Sequence, residues 1–97
     1  MTTHFLERVA ERVAEVDPIE LRKGLIWAIR NDRWDLVRFV CRADRNQRRW
    51  FEFATPSGKT FFALMDMDQI APVTVYTPEM MDAWRAKASD IKRRKRR

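Results

Sequence analysis

Apolar residues return every three or four positions at the start of the chain: Phe5, Val9, Val13 and Val16, with polar residues between them, form the stripe of a helix that buries one side. Thr2 or Thr3 suits its N-cap. Asp17-Pro18-Ile19-Glu20 is a second helix start, with Asp as cap, Pro at the first helical position and Glu placed to reach back. Leu21, Leu25, Ala28 and Ile29 then point inward, and the helix should stop near Asn31. From Trp34 the period falls to two. Val37, Phe39 and Cys41 share one face of a first strand, and Arg38, Val40 and Arg42 the other.

Asp44-Arg45-Asn46-Gln47 is turn material, and beyond it Arg49, Phe51 and Phe53 alternate with Arg48, Trp50 and Glu52 in a second strand. Thr55-Pro56-Ser57-Gly58 is a turn with Pro at its second and Gly at its fourth position. A third strand spans Thr60 to Met65, Asp66 to Gln69 reverse the chain, and Val73 to Tyr76 form a fourth. Connections this short imply an antiparallel meander. Thr77-Pro78-Glu79 opens a last helix with a stripe of Met81, Trp84, Ala88 and Ile91. The expectation is an α+β fold: two N-terminal helices, a four-stranded antiparallel sheet and a C-terminal helix, arranged as two layers with the helices on one sheet face.

Composition narrows the class. At 97 residues, 45% of them hydrophobic, the chain has room for one core, expected over residues 1–91 and followed by a basic tail over 92–97. The single cysteine, Cys41, permits neither an intrachain disulfide nor a cysteine-based zinc cluster, so a reducing cytoplasm is the simplest compartment. The first residues lack a basic start followed by an apolar run, and no segment approaches the ~18 apolar residues of a membrane helix, so no membrane association is expected.

The formal charge is +6, and its distribution says more than its size. Lys92, Arg93, Arg94, Lys95, Arg96 and Arg97 are six of the 20 basic residues, which leaves 14 against 14 acidic ones. Within that formally neutral body, residues 30–49 carry seven arginines against three aspartates. The tail should be mobile or a fraying helix end, able to bind phosphates whatever the base sequence. Nucleic acid, RNA above all, is the favoured partner; an acidic protein or an anionic surface is the competing one. Arg38, Arg42, Arg48 and Arg49 around the first hairpin, interleaved with Trp34, Trp50 and Phe51, match a surface that offers cations to phosphates and rings to unstacked bases. The alternative is rings in the core and arginines over a wet sheet face.

His4, Arg8 and Arg12 stand four apart and rise about 6 Å per step along one helix face, an imidazole beside two fixed cations. Such a trio suits phosphate chemistry, because histidine moves protons near neutral pH and guanidinium groups stabilise added negative charge. A solvated face on which Glu7, Glu11 and Glu15 pair with the arginines has the same spacing. Asp66-Met67-Asp68 reads as a turn rather than a metal site, and with Gly24 and Gly58 as the only glycines no phosphate loop exists. No cofactor and no metal are expected.

The run His4-Phe-Leu-Glu-Arg8-Val-Ala-Glu-Arg12, two helices before a four-stranded meander, and a final strand with Val73-Thr74-Val75 resemble the small toxin-like domains of the barnase, EndoU, colicin and RelE superfamily of metal-independent ribonucleases. The likeness covers roughly residues 3–77; a helix after the fourth strand is not part of that superfamily's minimal core. It implies RNA cleavage by attack of the 2′-hydroxyl on the adjacent phosphate. His4 would be the general acid or base, Arg8 and Arg12 phosphate or helix-face partners, and Thr74 a phosphate-orienting hydroxyl. Tyr76, on the Thr74 face by alternation, would contact substrate or assist proton transfer, and a toxin implies a small acidic antitoxin as partner. Lys59, opening the third strand, is a further cation for substrate with no motif behind it.

Overall fold

A computed structural model describes residues 2–43 and 47–95, with side chains for 4–43 and 47–89. Helix α1 spans Thr2–Arg12 and α2 Pro18–Arg30; strands β1 (Val37–Arg42), β2 (Arg48–Ala54), β3 (Thr60–Asp66) and β4 (Ala71–Tyr76) follow, and helix α3 (Pro78–Lys95) is the last described element. The strands lie in the order β1-β2-β3-β4, each antiparallel to the next. This is the expected α+β meander.

Local chemistry accounts for the element ends. Asp17, in extended conformation, accepts from the backbone N–H groups of Ile19 and Glu20 at 2.8 and 3.2 Å, and Pro18 fills the first helical position, where no N–H is needed. Glu20 does not complete a capping box and stands 4.0 Å from Lys23 instead. Thr77 caps α3, its hydroxyl accepting from the N–H of Met80. The Thr55-to-Gly58 turn closes with Gly58 N–H donating to the Thr55 carbonyl at 2.9 Å, and Gly58 takes φ +88, a left-handed value that costs glycine nothing. The cap expected of Thr2 or Thr3, the turn at residues 44–46, and the side chains of Ile91 and of Lys92 to Arg97 lie outside the described residues.

Several boundaries depart from expectation; β4, for one, begins at Ala71 rather than Val73. Helix α1 ends at Arg12, so Val13 and Val16 reach the core from the connection to α2 rather than from the helix. Asp17 sits before a proline, which disfavours helical conformation there, and it takes extended φ/ψ between the two helices. Strand β1 begins at Val37, because Trp34 to Leu36 form a turn. The backbone of α3 continues to Lys95, past the expected start of the tail.

The layering also differs. Phe5, Val9 and Val13 with Leu25, Ala28 and Ile29 of α2 pack on Val37, Phe51, Phe53, Phe61, Ala63, Met65 and Val75, one side of the sheet. Met81 and Trp84 of α3 pack on the other side, with Trp50, Phe62, Leu64 and Tyr76. The architecture is three layers, not two. The reason is compositional: β2 and β3 present aromatic or aliphatic residues on both faces, and each face needs a cover.

A bulge at Val40 changes β1. Phe39 pairs with Phe51, yet Cys41 pairs with Trp50 and Arg42 with Arg49, so one residue is inserted and the alternation restarts. Cys41 therefore packs beneath α3 rather than with Val37 and Phe39. Arg38 and Arg42, expected on one face, lie on opposite faces.

Candidate nucleic-acid interface

The helical pair α1 and α2 leaves the β1 end of its sheet face partly open, and aromatic residues occupy that opening. Trp34, 50% exposed, stacks on the buried Phe51 with ring centroids 6.3 Å apart and an interplanar angle of 10°. Phe39, 49% exposed, meets the same ring edge-on at 5.9 Å. Trp27, on the C-terminal half of α2, is 50% exposed. Rings fixed from below with a face or edge in water are stacking platforms, since the ordering cost of the side chain has already been met by folding.

Arginines are placed against these rings. The Arg33 guanidinium lies 5.3 Å from the Trp27 ring centroid and makes a two-point bond to Asp35 at 2.9 and 2.7 Å. Those hydrogen bonds hold the Asp35 carboxyl below, and the Arg33 guanidinium above, their ordinary pKa values. Arg49 lies 6.0 Å from the Phe39 centroid, and its buried Nε has no hydrogen-bond partner among the described residues. Across the strand pair, Arg42 is its direct register partner. The opening thus sets the half-exposed Trp34 and Phe39 over Phe51, with the Arg49 guanidinium beside Phe39.

No family model, no curated protein and no solved structure matches this chain. The site therefore stands on its own geometry.

The sequence-selected residues are distributed widely. Of the hairpin group, Arg49 joins the open face, Arg42 is its register partner and also lines a cleft with Trp84 and Arg85 of α3, and Arg38 bonds Glu52 at 2.8 Å on the α3 side. Arg48 is in register with Asp66, on the opposite sheet face from Arg49. Lys59 stands at the far end of the sheet, where its N–H donates to the Thr55 hydroxyl. Trp50 and Phe51, expected to offer rings to bases, are 1% and 2% exposed and serve the core. Trp27, Phe39 and Arg33 are additions; Trp27 falls off the Leu21/Leu25/Ala28 stripe of α2, a signal present in the sequence.

The trio on α1 does not act as one group. Arg8 pairs with Glu11 at 2.9 Å, the solvated-face arrangement. Arg12 donates to the Val75 carbonyl at 2.8 Å on the outer edge of β4 and lies 5.8 Å from the Tyr76 centroid. His4, two turns away, lines a cleft with Arg22, Asp66, Gln69 and residues 71–73. Thr74 pairs with Leu64, whose side chain belongs to the α3 side, and Tyr76 packs on Trp50 at 4.6 Å on that same side. Register thus places Thr74 and Tyr76 on the α3 side of the edge strand β4, whereas His4, on α1, lines a cleft with residues 71–73.

Among the described residues, no group of three or more His, Cys, Asp or Glu side chains is arranged to hold a metal ion. No described helix is long and apolar enough to cross a membrane.

Proposed function

We propose that this protein binds single-stranded nucleic acid, RNA above all, on the face formed by Trp27, Trp34 and Phe39 with Arg33, Arg42 and Arg49. The observation that carries this reading is the half-exposure of Trp34 and Phe39, both anchored on the buried Phe51, with guanidinium groups beside Phe39 and the half-exposed Trp27. Unstacked bases lie on such rings whatever their identity, while arginines take the phosphates between them. A duplex keeps its bases stacked and gains little here. The basic tail adds phosphate binding without base specificity, and a reducing cytoplasm suits the lone thiol.

Fluorescence anisotropy with a short labelled RNA strand tests it. Trp34→Ala and Phe39→Ala should each weaken binding roughly tenfold, since a stacked base is worth about 1–3 kcal/mol. A matched duplex should bind far less tightly than the single strand. Wild-type affinity in both variants would remove the face from the function. Displacement of the RNA by polyglutamate at equal charge would turn the assignment toward an acidic protein.

A second reading is metal-independent cleavage of RNA through 2′-hydroxyl attack. It draws on His4, whose ring stands in a cleft beside Arg22. Arg22 takes the phosphate-binding role there, because Arg12 is bound to Val75 and Thr74 faces α3. Degradation of mixed RNA in the presence of a chelator, abolished by His4→Ala, would establish it; intact RNA with the wild type excludes it.

A further inference from the structure

The cleft between the start of α1, the middle of α2 and the β3–β4 turn has a volume of about 480 Å³, within the range of nucleotide-sized ligand sites. One wall, residues 71–73, is Ala-Pro-Val and largely apolar, and Pro72 has no N–H to satisfy. The opposite wall carries His4 and Arg22. Arg22 makes no hydrogen bond or ion pair among the described residues, although its Nε is buried from solvent. A guanidinium with a desolvated, unpartnered N–H is an energetic cost that a bound anion removes. Asp66, which accepts from the N–H of Asp68 at 3.0 Å, and the exposed Gln69 line the same cleft and bring a carboxylate and an amide to it.

We infer that this cleft is a binding site for a phosphate monoester of nucleotide size, with Arg22 and His4 on the phosphate and Asp66 and Gln69 on sugar hydroxyls. A bare phosphate fits the cation but not the carboxylate; a nucleotide uses both, because a ribose hydroxyl donates to Asp66 while its phosphate stays at Arg22. The site is separate from the aromatic face, which lies toward β1, and does not depend on the reading of that face.

His4 is the only histidine in the chain, so a proton–nitrogen NMR spectrum of imidazoles reports this cleft alone. At constant ionic strength, AMP should move the His4 ring signals saturably, inorganic phosphate more weakly, and adenosine hardly at all. Arg22→Gln should weaken AMP about tenfold, as expected for loss of a charge-assisted bond, while Arg49→Gln leaves it unchanged. Should Arg22→Gln not melt cooperatively, Gln69→Ala in the exposed turn serves instead, with a threefold loss expected. A 5′-phosphorylated RNA strand compared with its unphosphorylated form separates a strand end from a free nucleotide as the source of the phosphate. His4 signals that follow only salt, equal shifts with adenosine and AMP, or unchanged AMP affinity in the folded variant would overturn the inference. Trp34→Ala should lose RNA and keep AMP, so failure of one site is distinguishable from failure of the other.

Discussion

Arginine is the residue type whose fates diverge most in this protein, and partners rather than position decide them. Arg12 satisfies an edge carbonyl of β4, Arg8 and Arg38 are paired with carboxylates, and Arg22 and Arg49 keep a buried Nε without a partner among the described residues. These last two hold hydrogen-bonding capacity in reserve where water is excluded, which is where a ligand gains most. Glu15 shows how a single carboxylate ties distant segments: it accepts from the Ser57 hydroxyl at 2.8 and 2.7 Å and so links the α1–α2 connection to the β2–β3 turn. The hydroxyls of Thr55 and then Ser57 hold its pKa below the ordinary 4.5. A carboxyl depressed on folding stabilises the native state above its unfolded pKa and loses that contribution as pH falls through the folded value. Urea unfolding of wild type and Glu15→Gln should therefore differ at pH 7 and converge as pH drops below about 4.5. A difference that persists to about pH 3 would mean the carboxylate charge has no part in this bond.

At the scale of elements, caps and turns are local and the faces are not. The Asp17 cap of α2 uses two hydrogen bonds to one oxygen, and Asp17→Ala should lower stability by about 1 kcal/mol in thermal or urea unfolding, with Asp17→Asn recovering most of it. No change in Asp17→Ala would show that packing of Leu25, Ala28 and Ile29 holds α2 without its cap. Such signals were legible in the sequence because they depend on residues three or four apart. The bulge at Val40 was not. It inserts one residue without a glycine or proline to mark it, and it reverses the faces of Cys41 and Arg42. Alternation therefore grouped Arg38 with Arg42, and only the register with β2 separates them. Helix α3 was legible as an element, but its side of the sheet depended on which face α1 and α2 had already covered.

For the whole molecule, charge and shape are arranged at different places. The described body carries its open aromatic face near β1 and its cleft near β4, while six positive charges cluster at residues 92–97. Binding through the rings should tolerate salt better than binding through the tail, because stacking releases no counterions. Removing residues 92–97 should lower RNA affinity at low salt and flatten the dependence of log K on log salt by up to about 0.7 for each phosphate that the tail had neutralised. Competition between single strand and duplex should persist in the truncated protein. If the preference for single strands disappears with the tail, the rings are not the source of selectivity.

Local patterns along the chain sufficed for seven elements in order, the antiparallel connectivity, the caps of α2 and α3 and the clustering of positive charge, since each rests on spacing or on a turn within a few residues. They also marked His4 and the arginines of the first hairpin as chemically capable. Long-range packing decided that the sheet is covered on both faces and that Thr74 and Tyr76 turn toward α3. Packing likewise buried Trp50 and Phe51 while leaving Trp27, Trp34 and Phe39 half in water. The physical reason is that periodicity names the side of a strand or helix a residue occupies, but which side meets another element depends on residues far away in the chain, and a one-residue bulge is enough to exchange them.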